Sequence, residues 1–153
     1  MQKTPFFETH LIGLALKGKT TNKNGQSSID CGKLWQQFEA ENIAGKIPDK
    51  LSDEIFAVYH NYEGDFTQPF SYFIGCKVAP NTKIPEGLND LTISKGIFSK
   101  RTAKGKMPDC VADTWKEIWN SGLQRAYQRD FEIYDERSKD WNDAEVDIYV
   151  SVK

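Results

Sequence analysis

Histidine is almost missing from this chain. Only His10 and His60 occur among 153 residues, and no H-x-x-x-H pair or Cys/His set has the spacing of a zinc site. Neither a phosphate-cradling G-x-x-x-x-G-K-[ST] loop nor a G-x-S-x-G nucleophile elbow is present. Metal, nucleotide and serine-nucleophile chemistry therefore lose their usual carriers, and no cofactor or metal is expected. Long apolar runs are also lacking. None approaches the roughly 18–20 residues of a membrane span, and the N-terminus has no charged segment leading into a hydrophobic one. A cytoplasmic protein without a membrane partner is the expectation. Cys31, Cys76 and Cys110 form no C-x-x-C pair and are odd in number, which suits free thiols with packing roles in a reducing compartment. Nor is positive charge in excess: 20 Lys and Arg stand against 22 Asp and Glu, a net charge of −2. No global field then draws the chain to nucleic acid. The strongest local excess, Lys95 to Lys106, reads as a solvated basic loop.

What the chain does have is rings. Nine Phe, six Tyr and four Trp exceed the needs of one core of this size, so some are expected to line a cavity. Length and composition, with 39% hydrophobic and 27% charged residues, fit a single globular domain over residues 1–153.

The pattern is also repeated. Leu34-Trp35-Gln36-Gln37-Phe38 is answered by Thr114-Trp115-Lys116-Glu117-Ile118-Trp119, each aromatic at helical spacing. Each is followed by a short strand, Phe56-Ala57-Val58-Tyr59 and then Phe131-Glu132-Ile133-Tyr134. In the first half, residues 10–17 read as a strand. A helix then runs to about Ala44, with Ser27, Ser28 or Asp30 able to cap it, and strands follow over 54–62 and 69–78. In the second half, 91–100 reads as a strand and Asp109 or Asp113 can cap a helix reaching about Leu123. Strands over 127–134 and 145–152 complete it. The fold class expected is α+β: two pseudo-twofold-related β-α-β-β modules, about 1–82 and 88–153, forming one antiparallel sheet with the helices packed against it.

One difference separates the copies: Ala57 in the first corresponds to Glu132 in the second. A carboxylate stands where the scaffold needs only a small residue. Alternation puts Val146, Ile148, Val150 and Val152 toward the helices. Phe131 and Ile133 are expected on that same side. Glu132 and Tyr134 are then left on the opposite surface, where Tyr59, Tyr149 and Asp147 join them. Trp35, Phe38 and Ile118 read as core, while Trp115 and Trp119, on the helix of the acid-bearing half, can present indoles to a cation. Asp130, Asp135 and Glu136 read as solvated charges.

Taken in order, Leu34-Trp35-x-x-Phe38, Tyr59-x-x-Tyr62-Glu63-x-Asp65, Phe73-x-Gly75-x-x-Val78, Trp115-x-x-Ile118-Trp119, Asp130-Phe131-Glu132-x-Tyr134 and Asp147-Ile148-Tyr149-Val150-x-Val152 resemble the GyrI-like small-molecule-binding domain. This is also called the AraC-type effector-binding domain. The chain is most similar to its stand-alone branch, which includes integron-cassette effector-binding proteins. The resemblance implies an aromatic-lined pocket for amphipathic, often cationic, organic molecules, as in multidrug-binding sensors that serve transcription regulation. The family's Phe-Glu-x-Tyr motif carries the role of ligand-attracting glutamate onto Glu132. The expected ligand-binding set is Glu132, Tyr134, Tyr59, Trp115, Trp119, Tyr149 and Phe73, with no catalytic residue. Related regulators fuse the domain to a helix-turn-helix. No room for one is seen here, so direct DNA binding is not expected, and a separate regulatory protein partner is left open. The competing class is a small-molecule hydrolase with Glu132 as general base and Tyr134 as orienting hydroxyl. A third is a protein-interaction module, against which the modest net charge argues.

Overall fold

A computed structural model describes residues 3–153. The strands are β1 (Lys3–Phe6), β2 (Thr9–Ala15), β3 (Lys50–His60), β4 (Ser71–Val78), β5 (Asn89–Ile93), β6 (Gly96–Gly105), β7 (Asp130–Tyr134) and β8 (Ala144–Ser151). The helices are α1 (Gln26–Ala40), α2 (Ile43–Lys46) and α3 (Asp109–Trp119). All eight strands join one sheet in the order β1-β6-β8-β7-β3-β4-β2-β5, and every pairing is antiparallel. The repeat is visible in that order. β2-α1-β3-β4 and β6-α3-β7-β8 mirror each other about the β3/β7 pair, where Ala57 lies directly opposite Glu132. The two equivalent positions of the repeat are thus cross-strand neighbours on the pseudo-twofold axis.

Strands β1 and β5 extend the expected pattern and decide the shape of the sheet. Each starts its own half but pairs with the far half, β1 with β6 and β5 with β2. In a flat sheet, strands six places apart would be separated by about 29 Å at about 4.8 Å per spacing. Yet only two residues lie between Phe6 and Thr9, and two between Ile93 and Gly96. Such a link reaches no more than about 11 Å, so the sheet must roll until its edges approach. Gly13 opposite Gly75 helps it coil; a Cβ on Gly13 would come within 1.9 Å of the Ile74 carbonyl oxygen.

Rolling buries both faces. On the concave side, Leu11, Phe56, Val58, Phe73, Ile93, Phe98, Phe131 and Ile133 form one cluster. On the helix side, Ile12, Ala57, Tyr72, Ile74 and Val78 pack in one cluster with α1 and α2, and Ala103, Val146, Ile148 and Val150 pack with α3. The side expected for Phe131 and Ile133 is thereby reversed. Glu132 pairs with Ile148, and Phe131 with Tyr149, so Glu132 faces the helices and its two apolar neighbours face the concave core.

Local differences follow from backbone chemistry. α1 starts after Gly25, which holds a left-handed φ of 70°, rather than from a Ser or Asp cap, and stops at Ala40 ahead of Asn42. α3 starts after Pro108 with no side-chain cap, and Asp109 in its first turn favours the helix dipole. The basic run is not a loop: most of it is β6, held on both sides by β1 and β8. Lys100 reaches Asp147 at 3.7 Å and Lys104 reaches Glu145 at 3.9 Å.

Candidate functional site

Between the two helices, on the pseudo-twofold axis, three neutral donors converge on one carboxylate. Glu132 projects from β7 and is 1% exposed. The indole Nε1 of Trp115, on α3, donates to its Oε2 at 2.6 Å, and the Tyr59 hydroxyl, on β3, donates to the same oxygen at 2.7 Å. The Tyr134 hydroxyl donates to Oε1 at 2.5 Å. Each donor is positioned by a periodicity visible in the chain. Tyr134 lies two residues along β7 from Glu132 and so shares its face; Tyr59 lies two residues beyond Ala57 on β3. Trp115 belongs to the buried stripe Val111, Trp115 and Ile118 of α3. Ala57 opposite is fully buried, and its small side chain leaves room for the carboxylate.

The aromatic wall continues toward α1. Tyr59 packs on Tyr72 at 5.0 Å and on Trp115 at 5.2 Å between ring centroids. Trp35 packs on Tyr134 at 4.9 Å and donates its Nε1 to the Tyr72 hydroxyl at 2.8 Å. Trp35 and Trp115 are equivalent positions of the repeat, each giving its indole N–H to the sheet. Trp35, expected to be simple core, is therefore part of this wall, as is Tyr72. The signal for Trp35 was its match to Trp115.

Electrostatics at the site are dominated by burial. Desolvation raises the Glu132 pKa above the usual carboxylate range, against the opposing pull of its hydrogen bonds from Tyr134, Trp115 and Tyr59. Burial first, and the Glu132 charge second, push the Tyr59, Tyr72 and Tyr134 hydroxyls well up, so all three stay protonated donors. The Cys31 thiol on α1 is pushed up by the same two causes and is a poor nucleophile. Among the described residues, no ion pair meets Glu132. The carboxylate is satisfied in hydrogen bonds and unsatisfied in charge.

Of the expected set, Glu132, Tyr134, Tyr59 and Trp115 come together. Trp119 lies one turn further along α3 and stacks on Phe66 of the β3–β4 loop, with centroids 5.2 Å apart and planes 6° from parallel. Tyr149 and Phe73 do not join the group. Both lie on the concave face, where Tyr149 stacks on Phe131 at 4.9 Å and Phe73 is 1% exposed. Asp147 is also on the far side from Glu132, bound to Thr102 and Arg137. Asp130 departs most from its expected solvated state, with 0% exposure. A cleft of about 430 Å³ lined by Lys104, Gly105, Lys106, Asp109, Cys110, Asp113, Thr114 and Glu117 includes none of the residues around Glu132. No group of His, Cys, Asp and Glu among the described residues could hold a metal ion.

Residues 8–152 match the family described as integron-associated effector binding protein. The chain belongs to that family. Among its relatives, an integron cassette protein from the mobile metagenome of Vibrio cholerae has a crystal structure with a TM-score of 0.75. It is 28% identical, the match covering 99% of this chain and 95% of that one. YobU of Bacillus subtilis (strain 168), which carries the name of a transcriptional regulator, is 27% identical over 124 residues, 78% of each chain. The structure of SAV2435 bound to tetraphenylphosphonium shares the fold with a TM-score of 0.79, at 18% identity over 99% of this chain and 93% of that one. As an integron-associated effector-binding protein, the chain has the rolled antiparallel sheet and paired helices of the GyrI-like fold. No helix among the described residues is long and apolar enough to cross a membrane.

Proposed function

We propose that this effector-binding protein takes hydrophobic or amphipathic organic cations, with Glu132 as the negative pole and Tyr59, Tyr134, Trp115, Trp35 and Tyr72 as aromatic walls. The observation that carries the proposal is a carboxylate 1% exposed whose hydrogen-bond partners are all neutral. Burying a charge without a counter-charge is costly, so in the empty protein the acid is driven toward its neutral form. A cation admitted among the rings supplies the missing charge and restores the ionised form. The aromatic faces add an attraction of about 0.5–2 kcal/mol. The carboxylate is 1% exposed, so entry requires a side chain around it to move aside. Tetraphenylphosphonium bound to SAV2435 supports the same ligand chemistry. The free thiols of Cys31, Cys76 and Cys110 fit a cytoplasmic setting. Sensing with a separate regulatory protein, or sequestering the ligand, would be the output.

The test compares benzyltrimethylammonium with neopentylbenzene, its neutral carbon isostere, by calorimetry on the wild type and on Glu132→Gln. The wild type should favour the cation and the variant should not. An undiminished cation preference in the variant would sink the proposal. A second reading, hydrolysis with Glu132 as general base, draws on the same raised proton affinity and the adjacent Tyr134 hydroxyl. Turnover of an electrophile by the wild type, lost in Glu132→Gln while binding persists, would put that reading in place of the first.

A further inference from the structure

Asp130 and Glu132 share one face of β7, about 7 Å apart along the strand. Asp130, fully buried, is met by Arg125, whose Nη2 donates to Oδ2 at 2.7 Å. Its other contacts are the Tyr62 hydroxyl at 2.6 Å and the backbone N–H and hydroxyl of Ser151 at 2.7 and 2.9 Å. Arg125 lies in a box of rings, its Cζ 4.3 Å from the centroid of Tyr127, 5.7 Å from Trp115 and 5.9 Å from Tyr62. Tyr127 holds a φ of 52°, a left-handed conformation unusual for so bulky a residue. The Arg125 side chain is 4% exposed, yet its Nε and Nη1 have no hydrogen-bond partner. Buried donors of a charged group are rarely left so, because nothing replaces the water they gave up.

Trp115 links this box to the acid beside it. Its ring flanks Arg125 while its Nε1 donates to Glu132. Charge on the same face does not cancel: Arg125 offsets Asp130, and ionised Glu132 remains over. An occupant that satisfies every group would carry one positive charge and, on the Arg125 side of Trp115, a neutral hydrogen-bond acceptor.

The geometry points to a polar subsite in which Arg125 offers one of its free N–H groups, Nε–H or Nη1–H, to a carbonyl oxygen of the same ligand whose cationic end meets Glu132. The inference rests on the cation reading of Glu132 and narrows the ligand class from lipophilic cations to cations bearing a carbonyl. Asp130 already compensates the guanidinium, so the acceptor is neutral rather than a carboxylate. Arg125 is held for it by Asp130 and Tyr127, a position that Lys could fill with charge but not with a planar group that binds Asp130 through one nitrogen and leaves two others free.

The test uses two probes of matched shape, (4-acetylphenyl)trimethylammonium and (4-isopropylphenyl)trimethylammonium, titrated into the wild type and Arg125→Lys by calorimetry. The acetyl compound should bind the wild type about tenfold more tightly, the gain expected when a partnerless charged donor finds an acceptor. In Arg125→Lys, checked for folding by circular dichroism, that advantage should shrink to about twofold or less. Equal affinities in the wild type would overturn the subsite while leaving the cation reading of Glu132 intact, and this comparison stands even if the variant does not fold. Discrimination that survives in folded Arg125→Lys would remove Arg125 from the subsite. Failure of both cations to bind the wild type would overturn the subsite and the cation reading together.

Discussion

Replacing Glu132 by Gln should stabilise the empty protein at neutral pH. The amide can keep the present geometry. Its oxygen takes the place of Oε2 and accepts from Trp115 and Tyr59, while its nitrogen takes the place of Oε1 and donates to the Tyr134 hydroxyl, which can turn to accept. What the substitution removes is the cost of holding a charge in a site where the glutamate is 1% exposed. The sign follows from the raised pKa of Glu132. Between its ordinary value and the raised folded value, the native state binds more protons than the unfolded one. Stability therefore falls as pH rises through that window and stays low above it. Every tenfold gain in the proton affinity of the folded state corresponds to about 1.4 kcal/mol lost at high pH. For a domain of this size, each kcal/mol moves the melting temperature by about 2–4 °C. Thermal unfolding of wild type and Glu132→Gln from about pH 4 to pH 8 should give curves that diverge upward through this window, the variant melting higher at pH 7–8. A saturating cation should close the gap by stabilising only the wild type, by about 4 kcal/mol at a thousandfold excess over Kd. A variant that melts below the wild type at pH 8, or a gap independent of pH, would refute the account of Glu132 as an acid lacking a counter-charge.

Two further outcomes probe the geometry. Phe73→Ala should cost about 3–5 kcal/mol of stability, since the ring is 1% exposed. It should leave the preference for a cation over its neutral isostere unchanged, and a changed preference would mean that the concave face communicates with Glu132. Ala57→Glu would set a second carboxylate directly opposite Glu132 in a fully buried pair, where like charges cannot both ionise. Urea denaturation should show a loss of several kcal/mol at pH 7–8, partly recovered near pH 5 as one acid takes up a proton. A pH-independent loss would assign the cost to crowding alone.

The repeat, the order of the central elements and the difference between Ala57 and Glu132 are all legible in the sequence, because each rests on local spacing: helical aromatics at i, i+3 and i+4, and alternation along short strands. The linear sequence alone could not tell which way each strand faces. Alternation establishes that Phe131 and Ile133 share one side and Glu132 and Tyr134 the other. It says which side meets the helices only if the remaining face is wet, and here both faces are buried. The sheet rolls because β1 and β5 cross to the far half through links of two residues, and nothing in Lys3-Thr4-Pro5-Phe6 announces that pairing. The same long-range register put Tyr149 and Phe73 on the concave face and brought Trp35 and Tyr72 to the wall around Glu132. It also buried Asp130, a residue whose type alone suggests solvent, against Arg125. Residue chemistry named the acid and its tyrosines; the closing of the sheet decided which rings and charges would surround them.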